Sequence, residues 1–413
     1  MTSTTPTDPL PETAPPTPLV DSPPVVMSPR SDGVEIVWSV TGHARGWVEW
    51  IALPHSDDRD PIDDSRLPTV EREVADLDRY GFVPQGTRVL RVRIDGWQPG
   101  SDYLIRTITR PADSEAAGSP TASPPTGRTK QEETSDWKRV RTLDPSADAT
   151  SFVVWNDTHQ RSETLQRLDD ASPRADFLVW NGDVCNNWND PEEIVPTILK
   201  PAGRDITVGR PMAFVWGNHD VRGPWAYRLP EVIATPEDRP YYAFRSGPVA
   251  AIFLNTGEDK PDDHPSFRGR PSFERLREVQ AEWLAEQIRQ PGFVDAPYRV
   301  LFCHMPLRWI SEPVLTEADY ADTEFDHYAR TSRELWHDSL VAWGTQVIVS
   351  GHTHKSSWIP ADDSFPYAQL TGGAPQSWAA TWITGTADNE QLTLTAHRLD
   401  TSVLHQATFA PLT

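Results

Sequence analysis

Apolar residues alternate with polar ones at Val34, Ile36, Trp38 and Val40, at Val48, Trp50 and Ala52, at Leu90, Val92 and Ile94, and at Tyr103 and Ile105. A period of two puts successive side chains on opposite faces, so each stretch predicts a half-buried strand, and short strands between turns predict a sandwich. Past residue 150 the texture changes. Continuous apolar runs at 152–155, 177–180, 212–216, 250–254, 300–303 and 347–350 predict strands buried on both faces of a layered α/β unit. Leu276, Val279, Trp283, Leu284 and Ile288 recur at helical spacing. So do Leu335, Trp336, Leu340 and Val341, with Thr331 or Ser332 as the cap and Gly344 as the stop. Asp190 before Pro191, Glu192 and Glu193 predicts a further helix start, limited by Pro196. Alternation from Leu392 to Leu399 and again toward Phe409 predicts late strands that complete a second sheet.

Residues 1–24, rich in Thr and Pro, bury too little apolar surface to offset the entropy of ordering and are expected to be disordered. The sandwich is expected over 25–145, with a long polar loop near 111–136, and the α/β unit over 150–413. Sixty acidic residues against 38 basic ones give a formal charge of -22, a field that repels polymeric nucleic acid and anionic membranes. The acidic clusters at 57–64 and 258–263 fit a solvated surface and receive no function. Only Cys185 and Cys303 are present, so reduced thiols are the default. No basic, apolar leader and no membrane span is visible in the sequence, which makes a cytoplasmic protein the expectation; a mis-called start would leave secretion open.

The residues that follow the apolar runs carry the chemistry. They are Asp157 and His159, Gly182 and Asp183, Gly217 through Asp220, His304, and Gly351, His352 and His354. Ligands commonly bind at the carboxyl ends of strands in such sheets. Carboxylate, amide and imidazole donors without cysteine suit divalent Mn, Fe, Zn or Co. Seven ligands exceed what one ion needs, whereas two ions bridged by one carboxylate would use them.

In that order the blocks DxH, GD, GNHD, a lone His and GHTH resemble the calcineurin-like metallophosphoesterase family, from Phe152 to beyond His354. The resemblance implies two mixed sheets flanked by helices. It implies a first ion on Asp157, His159 and His354, a second on Asn218, His304 and His352, and Asp183 as the bridge. A hydroxide between the ions would then attack phosphorus. His219 would donate a proton to the leaving oxygen, with Asp220 fixing its tautomer. The stretch from Gly96 to Tyr103 resembles the turn and tyrosine corner of fibronectin type III domains. A fibronectin-like sandwich ahead of a metallophosphoesterase resembles purple acid phosphatases. Two positions depart from that pattern: Asn186 stands where those enzymes carry an iron-ligating tyrosine, and His159 is a histidine that their first block lacks. The departures imply a redox-inert pair of divalent ions.

Trp188, Trp225, Trp309 and Trp358 each follow a block by four or five residues and are candidates to stack on an organic group of the substrate. Arg161, Arg222 and Arg308 are candidates for phosphate oxygens. At least one of these arginines and two of the tryptophans are expected beside the metals, and residues 307–330 are expected to form a lid. The expected substrate is a small organic phosphate ester, with phosphomonoesters ahead of diesters such as cyclic nucleotides or glycerophosphodiesters. A catalytically inert binding module is the alternative of another class, and the intact ligand set speaks against it.

Overall fold

The computed structural model describes residues 17–54, 73–78, 81–112, 132–265, 267, 269–310 and 327–413. Most of the expected disordered start, the acidic cluster at 57–64, the core of the loop near 111–136 and the centre of the expected lid lie outside these residues. Residues 17–24 do not share the disorder expected of the start, because Leu19 is buried and Val20 bridges Val40.

The N-terminal region is all β. Ala44–Ala52 and Asp102–Pro111 pair antiparallel and carry Glu73–Ala75 and Lys138–Arg141 at their flanks. Val25–Met27, Val34–Ser39 and Val89–Ile94 face them. Ile36, Trp38, Leu90, Val48, Ile105 and Val140 meet in the core between the two layers. The Tyr103 hydroxyl accepts the Gln98 amide N–H at 2.8 Å, and its ring stacks on Trp97 at 3.9 Å.

The strand Val34–Ser39 departs from the half-buried expectation, since all six of its residues are buried. Its second face is covered because this layer is not the outer wall of a separate sandwich. Val25–Met27 pairs parallel with Met212–Val215, with Met27 opposite Met212, so the two regions share one sheet. That nine-stranded sheet runs in the order Val403–Phe409, Leu392–Arg398, Thr381–Ala387, Thr150–Trp155, Phe177–Asn181, Met212–Val215, Val25–Met27, Val34–Ser39, Val89–Ile94. The late strands Leu392–Arg398 and Val403–Phe409 therefore extend the first sheet and do not complete a second. Thr381–Ala387 turns back antiparallel on Thr150–Trp155, and the two late strands continue outward from it.

The second sheet has six strands, in the order Tyr242–Ser246, Val249–Leu254, Tyr298–Cys303, Val347–Ser350, Ala368–Thr371, Ser357–Ile359. Between the sheets Phe152, Val154, Phe177 and Val179 pack on Phe253, Val300, Phe302 and Val349. Helices close the outer faces. Leu165, Leu168 and Ile198, from helices Ser162–Ala171 and Ile194–Leu199, cover the first sheet, in one cluster with its Val25, Met27 and Val37. Leu284, Trp336 and Leu340, from Phe273–Gln287 and His327–Trp343, cover the second. The last of these helices begins at His327, so Thr331 and Ser332 lie inside it and do not cap it. Gly344, at φ +74°, ends it as expected. No described helix is long and apolar enough to cross a membrane.

Candidate metal centre

Thr150–Trp155, Phe177–Asn181 and Met212–Val215 run parallel, as do Val249–Leu254, Tyr298–Cys303, Val347–Ser350 and Ala368–Thr371. The chain turns sharply where these strands end. Asp157, His159, Asp183, His352 and His354 all have positive φ, between 42° and 70°. Non-glycine residues in that region are strained by about 1–3 kcal/mol each and persist only where the surroundings fix them. Glycines allow the close approach. A Cβ on Gly217 would stand 2.2 Å from Asp183 Oδ1, and one on Gly182 2.5 Å from His304 Nδ1.

The turns bring the seven expected ligand residues into one cluster. Ligand atoms of Asp157, His159, Asp183 and His354 lie within 4.8 Å of one another, and those of Asp183, His304 and His352 do the same. Asn218 joins the second group, its Oδ1 being 2.8 Å from His352 Nδ1. Asp183 is common to both groups, through a single oxygen. Its Oδ1 accepts the His219 backbone N–H at 2.8 Å, leaving Oδ2 at 3.1 Å from His304 Nε2 and 3.6 Å from His159 Nε2.

The spacing and chemistry fit divalent ions. His159 Nε2 lies 3.2 Å from His354 Nε2, which is 3.4 Å from Asp157 Oδ1. Ligands about 2.1 Å from a common ion are separated by about 3.0–3.4 Å along the edges of octahedral or tetrahedral polyhedra. His304 Nε2 is buried without a hydrogen-bond partner. Burial disfavours its charged form, but the Asp183 and Asp157 carboxylates outweigh burial and push the imidazole pKa up to about 10. Desolvation works against ionised Asp183, yet His304 and neighbouring imidazoles hold its pKa well below the usual carboxylate range. Buried carboxylates with convergent imidazole nitrogens suit a cation, and the two groups sharing Asp183 have the arrangement of a dinuclear site.

His219 stands beside the first group, its ring 4.9 Å from that of His159. Its Nδ1 lies 2.8 Å from the Asn186 carbonyl oxygen and its Nε2 3.1 Å from Arg222 Nη1. Burial, helped by Arg222, lowers its pKa below the ordinary histidine value. Asp220 does not orient this ring, contrary to the sequence expectation. Its carboxylate is fully buried and accepts the backbone N–H groups of Asp183, Val184 and Gly217 at 2.8, 3.0 and 2.8 Å. It therefore clamps the turn that presents Asp183.

Arg222 lies beside His219, held from behind by an acidic pair. Its guanidinium donates to both Glu258 oxygens at 2.7 and 2.6 Å and to Asp259 at 2.8 Å. Glu258 and Asp259 are buried, so this part of the 258–263 cluster is not solvated surface. Trp309 also borders the site, its ring centroid 6.1 Å from that of His352. The other candidates are used differently. Trp188 is fully buried and donates Nε1–H to the Asp220 carbonyl. Trp225 packs on the core and stacks with Tyr227, and Trp358 packs against Phe409. Arg308 is buried and donates to the carbonyls of Pro360 and Tyr367 and to Asp362. Arg161 is exposed, immediately before helix Ser162–Ala171.

Two supporting residues had no motif to mark them. The Asn181 side-chain amide donates to Asn156 Oδ1 at 2.8 Å and lies 3.3 and 3.4 Å from the carbonyls of Cys303 and Val349, while its backbone oxygen is 2.7 Å from His304 Nδ1. It thereby ties four strand ends together across both sheets. Gly373 approaches Asp157 so closely that a Cβ would lie 2.4 Å from its Oδ2. An asparagine closing a buried strand and a Gly-Gly pair after Thr371 are the only signals the sequence offers for them.

Two packed mixed sheets, with this donor set turned in at their strand ends, define a metallophosphoesterase, a phosphoric ester hydrolase. Residues 150–356, just over half of the chain, match the family described as calcineurin-like phosphoesterase, and the chain belongs to that family. Among solved structures it is similar to the purple acid phosphatase PPD1 from yellow lupin (Lupinus luteus) seeds, at 12% identity and a TM-score of 0.64, over 94% of this chain and 74% of that one. It is also similar to PhoD, at 14% identity and a TM-score of 0.56, over 96% of this chain and 90% of that one. No curated protein matches it.

Proposed function

We propose that the protein hydrolyses phosphate monoesters of small organic molecules with two divalent ions drawn from Mn, Fe, Zn and Co. Asp157, His159, Asp183 and His354 would hold one ion, and Asp183, Asn218, His304 and His352 the other. The observation that carries the reading is Asp183, whose Oδ2 faces both histidine groups while its other oxygen is fixed by the His219 N–H. Such ions, when bound, supply Lewis acidity toward phosphoryl oxygens and an acidified water near neutral pH.

The chain's own groups serve the departing oxygen. Arg222, fixed by Glu258 and Asp259, presents a positive charge that needs no rearrangement as negative charge develops. His219 Nε2 lies beside it, and in its protonated form the ring would hand on a proton from Nε2 while Nδ1–H stays on the Asn186 carbonyl. Trp309 offers an aromatic wall next to His352. Similarity to a structure named as a phosphatase supports placing monoesters ahead of diesters.

The test is turnover of mono-aryl against bis-aryl phosphates with each of the four metals added to metal-depleted protein. Monoester turnover should exceed diester turnover at least about tenfold, a barrier difference of about 1.4 kcal/mol; the reverse ratio would make the protein a diesterase. His219→Ala should keep both metals and lose about 10²–10⁴ in turnover.

A further inference from the structure

Asn186, three residues after Asp183, is joined to two of the histidines described above. Its side-chain Oδ1 lies 2.8 Å from His159 Nδ1, and its backbone oxygen lies 2.8 Å from His219 Nδ1. Both oxygens are acceptors, so each imidazole must donate from Nδ1. A neutral ring that carries its proton on Nδ1 keeps the Nε2 lone pair free. For His159 that lone pair is directed into the first ligand group, 3.2 Å from His354 Nε2 and 3.6 Å from Asp183 Oδ2. For His219 it is directed toward Arg222.

We propose that Asn186 is a positioning residue that fixes the tautomer and ring orientation of His159 through its side chain and of His219 through its backbone. This rests on the metallophosphoesterase reading of the site. Were His159 to carry its proton on Nε2, that N–H could bond His354 Nε2 and no lone pair would face the ion. The side-chain amide prevents this by accepting at the opposite nitrogen. The two positions where the motifs depart from the purple acid phosphatase pattern, His159 and Asn186, are thus hydrogen-bonded partners and make one unit. Because the backbone carbonyl survives substitution, the two histidines can be separated. Changing the side chain addresses His159 and leaves the His219 contact in place.

The experiment compares Asn186→Ala and Asn186→Asp with the wild-type chain. Asn186 is solvent-exposed on one side, so neither change opens a core cavity. Histidine 15N shifts in the metal-depleted protein should show His159 as the Nδ1–H tautomer in the wild type and as a mixture in Asn186→Ala, with His219 unchanged. Titration with Mn or Zn should show one of the two ions bound about 10–100-fold more weakly in Asn186→Ala, the usual cost of losing a partner that orients a ligand. Asn186→Asp, which still accepts from Nδ1–H, should restore both readouts. Wild-type tautomer and wild-type affinity for both ions in Asn186→Ala would overturn the inference, as would failure of Asn186→Asp to restore them. If the wild type turns over no phosphate ester while the metal and tautomer effects are seen, the positioning role stands and the phosphoesterase reading falls.

Discussion

Replacing Asp220 separates two roles for this carboxylate, orienting His219 or holding the turn that carries Asp183. The structure assigns it the second, through three buried hydrogen bonds from the backbone of Asp183, Val184 and Gly217. In Asp220→Asn the side-chain oxygen can keep the two bonds now made to Oδ2, but an amide N–H₂ then faces the Val184 N–H. Loss of one bond to a charged acceptor, together with an unsatisfied buried donor, costs about 1.5–3 kcal/mol. Asp220→Ala removes all three and should cost more. Burial, reinforced by the Asp183 carboxylate, pushes the Asp220 pKa up to about 7, so its ionised form is opposed unless positive charge stands nearby. The loss in Asp220→Asn should accordingly be larger with Mn or Zn bound than after chelation. Thermal unfolding with and without the metal measures this, at roughly 2–4 °C per kcal/mol for a domain of some 150–250 residues. An unchanged melting temperature in both conditions, with activity lost and both metals retained, would refute the clamp and return Asp220 to the role read from sequence.

Three further outcomes follow from the same contacts. In Gly217→Ala a methyl would have to fit 2.2 Å from Asp183 Oδ1, so the variant should lose affinity for both ions at once, measured by metal content after dialysis. Arg308→Ala should lower the melting temperature by several degrees and leave KM within about twofold, because Arg308 is committed to Pro360, Tyr367 and Asp362; removing a buried hydrogen-bonded charge typically costs about 3–5 kcal/mol. His397, stacked on Trp382 at 4.1 Å, has its pKa lowered by burial. A depressed pKa means that the unfolded chain takes up the proton first, so this contribution is intact above pH of about 6.5 and is lost as pH falls through the folded value. Urea unfolding between pH 7 and 5 should show that slope, and His397→Gln should flatten it.

The metal blocks were legible in the sequence because each follows an apolar run, and a buried parallel strand has one end at which polar residues can emerge. The run at 212–216 followed by Gly217 through Asp220 needs no partner to show that a polar turn leaves a core strand. The destination of each side chain was less legible. Asp220 is adjacent to His219 in the chain, but its carboxylate points back under the turn to Asp183. Glu258 and Asp259 look like a solvated run until Arg222 arrives from a different strand end. Spacing placed four tryptophans near the site edge without fixing ring direction, and Trp188 points inward where Trp309 meets His352. Likewise the alternation in Val34–Ser39 reports one buried face, and the second exists only because the layer docks on the phosphoesterase core.

The parallel pairing of Met27 with Met212 has a consequence for synthesis. The edge formed by Val25–Met27 is made early on the ribosome, yet Met212 is translated 185 residues after Met27, which at about 5–20 residues per second is a delay of roughly 9–37 seconds. Until then the nascent N-terminal layer carries an unpaired, apolar strand edge, the kind of surface that invites association with other chains. Slow passage through 150–211 would lengthen that exposure, whereas prompt arrival of Met212–Val215 covers it. The strand that delivers Asn218 and His219 to the metal centre is thus also the one that covers the nascent layer's open edge.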